Sequence, residues 1–126
     1  MDTPPRISEA EWQVMEVVWE HHPIPAGGVV SRLAESKQWS PQTIKTLLAR
    51  LVKKGALSFT QEGKRYWYSP QVSRSRCIQA ESQSFMARVF RGKSSPLLAH
   101  FVKEAELSAE EISELKALLE RKEKNS

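Results

Sequence analysis

Apolar residues recur at helical spacing over the first half of this chain, alternate with polar ones near its middle, and return to helical spacing toward its end. Ser8 is placed to cap a first helix, and Glu11 three residues later completes a capping box. Trp12, Met15, Val18 and Trp19 give that helix one apolar face. His21-His22-Pro23 closes it, because the residue before a proline avoids the α region. Pro25 opens a second helix carried by Val29, Val30 and Leu33, with Gly27 and Gly28 weakening its first turn by up to about 1 kcal/mol each relative to alanine. The third helix has the fullest set of signals. Trp39 precedes Ser40 as N-cap and Pro41 at the first helical position. Ile44, Leu47, Leu48 and Leu51 follow on one stripe, Lys53 and Lys54 complement the dipole in the last turn, and Gly55 serves as C-cap. Its opposite face carries Gln42, Thr43, Lys45, Thr46, Arg50 and Lys53.

The alternating stretch predicts a β-hairpin. Leu57-Ser58-Phe59-Thr60 makes one strand, Glu62-Gly63 a tight turn, and Arg65-Tyr66-Trp67-Tyr68 the other strand, closed by Ser69-Pro70. Beyond Pro70 a helix is expected from Ser73 to Phe90, with Ile78, Phe85, Met86, Val89 and Phe90 as its apolar positions. Gly92 breaks it, and Ser95-Pro96 starts another helix with Leu97, Leu98, Phe101 and Val102. Ser108 with Glu111 forms a second capping box ahead of Ile112, Leu115, Leu118 and Leu119, and Glu120 to Ser126 reads as a charged, frayed end. Three helices followed by a hairpin is the winged helix-turn-helix order. The expected fold is therefore mainly α with a small β-hairpin. A winged helix-turn-helix DNA-binding domain occupies residues 1–71, and a helical dimerisation region occupies 72–126.

Composition adds little, and charge adds more. A length of 126 residues, 40% of them hydrophobic and 27% charged, fits one soluble domain or a small domain with an extension. No apolar run nears the ~18 to 20 residues needed to span a bilayer, so no membrane insertion is expected. Nothing in Met1 to Ile7 reads as a secretion signal, which points to the cytoplasm. Cys77, the single cysteine, excludes an intrachain disulfide and a multi-cysteine metal cluster, and no cofactor or metal is expected. The net charge is only +4, yet between Ser40 and Arg76 eight cations (Lys45, Arg50, Lys53, Lys54, Lys64, Arg65, Arg74 and Arg76) face one acid, Glu62.

A cationic helix face alone is usually a solvated face. Joined to a cationic hairpin and a near absence of acids, it points to a polyanion. A helix fits the major groove, where Gln42, Thr43, Lys45 and Thr46 are of the right types to reach base edges. Lysine and arginine on that face can reach phosphates or guanine, and the wing carries cations to grip the neighbouring backbone. Trp12, Trp19, Trp39, Trp67 and Tyr68 are expected to pack rather than to bind. The C-terminal helices present more apolar surface than so small a body can cover. Phe85, Phe90, Leu97, Leu98, Phe101, Leu115 and Leu118 are therefore expected in a two-fold dimer interface, with a palindromic DNA site as partner. The rivals are a winged-helix module that binds another protein and an enzyme built on His100 with Glu104. Neither His100 nor the His21-His22 pair has the neighbours of a catalytic triad or metal site.

The run Trp39-Ser40-Pro41-Gln42-Thr43-Ile44-Lys45-Thr46-Leu47-Leu48-Ala49-Arg50-Leu51-Val52-Lys53-Lys54-Gly55 resembles the recognition helix of the BlaI/MecI/CopY family of penicillinase-type transcriptional repressors. Ile7 to Met15 with Val18-Trp19, the wing Arg65 to Pro70, and Leu97 to Val102 with Leu107-Ser108 and Glu110-Glu111-Ile112 are similar as well. The resemblance spans about Ile7 to Leu119. It implies a dimeric repressor binding promoter palindromes with TACA/TGTA-type half-sites, controlling a β-lactamase or a related resistance or stress gene. By position, it implies that Gln42, Thr43, Lys45, Thr46 and Arg50 contact DNA, with Thr43 and Thr46 at base edges and thymine methyls, Arg50 and Lys53 on backbone phosphates, and Lys64 and Arg65 on phosphates from the wing. In β-lactam-responsive members a sensor-linked protease cuts an Asn-Phe bond. Here the matching pair is His100-Phe101, so a membrane sensor-protease pathway would act on a changed site. The copper-responsive members carry a cysteine-rich tail, which this chain replaces with Lys122-Glu123-Lys124-Asn125-Ser126.

Overall fold

The computed structural model describes residues 3–125. In chain order the elements are α1 (Glu9–Glu20), β1 (Ile24–Pro25), α2 (Ala26–Lys37), α3 (Pro41–Lys54), β2 (Leu57–Glu62), β3 (Arg65–Pro70), α4 (Arg74–Phe90), α5 (Ser94–Glu104) and α6 (Ala109–Lys124). Two compact units divide between Ser84 and Phe85, inside α4.

The first unit is the winged helix. The Ser8 hydroxyl oxygen accepts from the Glu11 N–H at 3.1 Å, and the Glu11 carboxylate accepts from the Ser8 N–H at 2.8 Å, closing the expected capping box. Ser40 caps α3 by accepting the Thr43 N–H at 3.1 Å. Gly55 ends that helix at φ +84, a conformation only glycine adopts without strain. The core gathers Val14, Met15 and Val18 of α1, Val29 and Leu33 of α2, and Ile44, Leu47, Leu48 and Leu51 of α3, with Ile24, Leu57 and Cys77 completing it. Each fully buried aliphatic side chain contributes about 1.5–3 kcal/mol.

Trp12, Trp19, Trp39 and Tyr68 pack against the core as expected. Trp12 and Trp19 meet edge-to-face at 5.4 Å, and the Trp19 indole N–H donates to the Val72 carbonyl at 2.9 Å. In α4 it is Cys77 that faces the core, while Ile78, expected on the apolar face, is exposed. Burial pushes the Cys77 thiol pKa up, so the thiolate is disfavoured.

The sheet differs from the expected hairpin in two ways. Strand β2 continues to Glu62, which pairs with Arg65, so the turn is Gly63-Lys64 rather than Glu62-Gly63. Gly63, at φ +65, takes the left-handed position of that two-residue turn. A third strand, β1, was not anticipated. Ile24 pairs with Tyr68, giving the order β1-β3-β2. Pro25 has no N–H to donate, which suits an edge strand.

This extra strand also explains a glycine. A Cβ on Gly28 would lie 2.7 Å from Ile24 Cγ1, a branched side chain itself only 4% exposed, whereas a Cβ on Gly27 meets nothing within 4 Å. Gly28→Ala should therefore lower stability by about 1–3 kcal/mol through overpacking. Gly27→Ala should raise it by up to about 1 kcal/mol through helix propensity. Thermal unfolding of both variants checks this, and a melting temperature raised by both would show that Ile24 yields freely.

In the second unit, the Arg91 and Gly92 backbone turns left-handed and the Gly92 N–H donates to the Met86 carbonyl at 3.0 Å, ending α4 where expected. Ser108 and Glu111 form the second capping box, with bonds of 2.9 and 3.1 Å. The frayed end expected from Glu120 is instead helical to Lys124. The Phe85 and Phe90 rings meet at 5.9 Å. Leu98, Phe101, Val102, Ile112, Leu115, Leu118 and Leu119 are all exposed.

Candidate nucleic-acid interface

Burial of Ile44, Leu47, Leu48 and Leu51 turns the rest of α3 outward, and Gln42, Thr43, Lys45, Thr46, Arg50 and Lys53 are all exposed. The structure thus brings the six helix residues named from sequence onto one solvent face. Two of them already make local bonds. The Thr43 and Ser40 hydroxyls lie 3.0 Å apart, and the Thr46 hydroxyl donates to the Gln42 carbonyl at 3.0 Å. That bond uses Thr46's one proton and leaves its oxygen lone pairs and its methyl group for a ligand.

The wing stands beside this face. A cleft of about 510 Å³ is lined by Lys45 of α3, by Lys64, Arg65, Tyr66 and Tyr68 of the hairpin, and by Pro25 to Gly28 at the start of α2. No side chain caps the α2 N-terminus, so its first N–H groups add a positive dipole end to three cations. This arrangement suits an anion such as a backbone phosphate. Arg65 also lies over the Trp67 ring, 5.9 Å from its centre, which holds the guanidinium on the wing.

The local charge is not all available. Lys54 Nζ bonds the Glu11 carboxylate at 2.5 Å, and Arg74 forks onto Glu16 with bonds of 2.7 and 3.1 Å. Both acids lie outside the cation-rich stretch, so counting within it overlooked them. Among the described residues Lys45, Arg50, Lys53, Lys64 and Arg65 are exposed and paired with no carboxylate. Hydrogen bonds from Arg74 hold the Glu16 carboxyl below its ordinary value, outweighing the burial that raises it. For Glu11, burial raises the pKa, but hydrogen bonds from Lys54 and the Ser8 N–H prevail and the net shift is downward.

Sequence reasoning missed two features of this surface. Phe59 and Tyr66 stack at 4.3 Å on the exposed wing, and Gly28 lines the cleft. Period-2 alternation places Phe59 and Tyr66 on strands but does not reveal that a diagonal pair on one face will stack. The remaining candidates fall elsewhere. His22 Nδ1 sits 3.0 Å from the Val18 carbonyl at the end of α1. His100 and Phe101 lie inside α5, their rings edge-to-face at 5.6 Å, so a protease would reach that bond only after the helix opened locally. No group of histidine, cysteine or acidic side chains among the described residues could hold a metal ion. No described helix is long and apolar enough to cross a membrane.

The winged-helix fold is shared with known proteins. The sequence profile of the family described as Penicillinase repressor matches residues 7–121. A penicillinase repressor of Bacillus licheniformis is 41% identical over 116 residues, which cover 92% of this chain and 91% of the relative. The methicillin resistance regulatory protein MecI of Staphylococcus aureus (strain N315) is 35% identical over 116 residues, covering 92% and 94%. The solution structure of the DNA-binding domain of the repressor BlaI is 43% identical, with a TM-score of 0.54, and covers 60% of this chain and 93% of that one. A solution structure of monomeric Bacillus licheniformis BlaI in complex with the blaP half-operator is also 43% identical, with a TM-score of 0.53 and the same coverage.

Proposed function

The chain belongs to the penicillinase repressor family, and we propose that it is a sequence-specific DNA-binding transcriptional repressor acting as a homodimer on a palindromic promoter operator. The observation that carries this reading is the solvent face of α3, where Gln42, Thr43, Lys45 and Thr46 stand beside Arg50 and Lys53, flanked by Lys64 and Arg65 of the wing. A similar winged helix, in the BlaI complex, is bound to a half-operator.

In this reading α3 enters the major groove. Thr43 and Thr46 meet base edges and thymine methyls, and Gln42 and Lys45 reach bases beside them. Arg50 and Lys53 hold phosphates along the groove, while Lys64 and Arg65 grip the backbone from the wing. The half-sites are of the TACA/TGTA type that the resemblance implies. The regulated gene is a β-lactamase or a related resistance or stress gene, in keeping with the relatives' names. DNA binding is assigned to residues 1–71 and dimerisation to residues 72–126, through Phe85, Phe90, Leu97, Leu98, Phe101, Leu115 and Leu118. Of these, Phe85, Leu98, Phe101, Leu115 and Leu118 stand exposed in the single chain while Phe90 and Leu97 are half-buried, and a second copy would cover the exposed ones.

The direct test is a salt titration of binding to a TACA/TGTA palindrome beside a scrambled duplex. The expected result is an affinity gap of about 1,000-fold or more between the two, with steep weakening as salt rises. Equal and weak binding to both would overturn the reading and favour a wing that binds protein.

A further inference from the structure

Glu11 is 2% exposed, the one charged residue found buried among those described. It has two roles that need not belong to one side chain. Its carboxylate accepts the Ser8 N–H at the start of α1, and it also accepts from Lys54 Nζ in the last turn of α3. The same Nζ donates to the Arg6 carbonyl at 2.9 Å. The end of α3 is thereby tied both to the segment ahead of α1 and to the first turn of α1.

Helix capping does not explain the lysine. A glutamine at this position of a capping box accepts the same N–H, so the box needs no charge. Stability does not explain it either, since the Lys54 side chain is 36% exposed and an ion pair open to water on one side contributes little. What the pair adds is geometry. Sliding or rotating α3 against α1 would draw the half-exposed Lys54 ammonium away and leave the Glu11 carboxylate, 2% exposed, without its partner. The face of α3 meets bases through short side chains, Thr43 and Thr46, and such contacts tolerate misplacement of only about 0.5 Å. Phosphate contacts through long, flexible lysines and arginines are more forgiving.

We propose that Glu11 is a positioning residue for base readout: acting through Lys54, it fixes the pose of α3, so its loss lowers sequence discrimination beyond any effect on folding. The proposal rests on the reading of α3 as the recognition helix.

The test measures Glu11→Gln, Lys54→Met, the double variant and Lys54→Arg in the full chain. Binding to the TACA/TGTA palindrome and to the scrambled duplex is set beside thermal unfolding. Glu11→Gln keeps an acceptor for the Ser8 N–H and removes only the charge. Each single variant should lower the operator-to-scrambled affinity ratio about tenfold, the scale of one mispositioned base contact. The double variant should lower it no further, and Lys54→Arg, which keeps a cation for Glu11, should retain it. Equal losses on both duplexes that follow the melting temperature would overturn the proposal and leave Glu11 a structural residue. A wild-type gap left intact by Glu11→Gln would overturn this inference alone. The absence of any wild-type gap would overturn it together with the reading of α3.

Discussion

Phe101→Glu is expected to leave the protein monomeric and to weaken binding to a full palindrome by roughly 100-fold or more, with little change in binding to a single half-site. Phe101 is 54% exposed in the single chain, and Leu98 and Leu118 are 56% and 53% exposed. A glutamate there stays solvated in the monomer, so the fold of one chain has little reason to suffer. In the proposed dimer the same carboxylate would be buried without a partner, which association cannot tolerate. Once the copies separate, the second half-site is no longer reached as an intramolecular event, and the avidity of two linked contacts is lost. Leu115→Glu, on α6 rather than α5, should behave alike. Sedimentation velocity reads the oligomeric state, and titrations on full and half operators read its consequence. Unchanged sedimentation for both variants would reject this interface.

Elements fixed by local chemistry were legible in the sequence. Ser40-Pro41 at one end and Lys54-Gly55 at the other bound α3 at the expected residues, because a cap, an N1 proline and a left-handed glycine act within one turn. Both capping boxes formed for the same reason. Strand β1 was not legible. Its two residues carry no alternation, and only the long-range pairing of Ile24 with Tyr68 makes it a strand. The hairpin turn shifted by one residue because Gly63 accepts a positive φ as either the first or the second turn residue, and the register of Glu62 opposite Arg65 decides. The charge at the end of α6 suggests fraying, yet the helix runs to Lys124. Glu120, Arg121, Lys122 and Glu123 are all good helix formers, and basic side chains in the last turn favour the dipole.

The candidate site was legible in its residues more than in its charge. Periodicity alone placed Gln42, Thr43, Lys45, Thr46, Arg50 and Lys53 opposite a buried stripe, and they are exposed together. What a local count cannot register is a partner distant in sequence. Glu11 lies 43 residues from Lys54, and Glu16 lies 58 from Arg74, so Lys54 and Arg74 are taken up by salt bridges invisible to any window. The cleft between wing and α2 has the same origin. Its cations come from α3 and the hairpin, and Gly27 and Gly28, which in the sequence are only weak helix formers, line it beside them.

Those distinctions sharpen the contrast between Thr46 and Lys64, both exposed but on different elements. Thr46→Ala removes a hydroxyl and a methyl from the middle of α3. Alanine favours a helix more than threonine does, and the lost bond to the Gln42 carbonyl contributes little to a helix, so folding should be unharmed. Its expected effect is confined to the operator: a loss of about 1–3 kcal/mol there, the scale of one base contact, and none on a scrambled duplex. Lys64→Ala removes a cation at the wing tip that, in the proposed reading, holds a phosphate and meets no base. It should weaken both duplexes by the same factor and reduce the salt slope by about 1, the signature of one phosphate contact. Measured side by side across a range of salt, the two variants separate reading from gripping. Equal losses on operator and scrambled DNA for Thr46→Ala would remove it from base readout, and a Lys64→Ala loss confined to the operator would move the wing from the backbone to the bases.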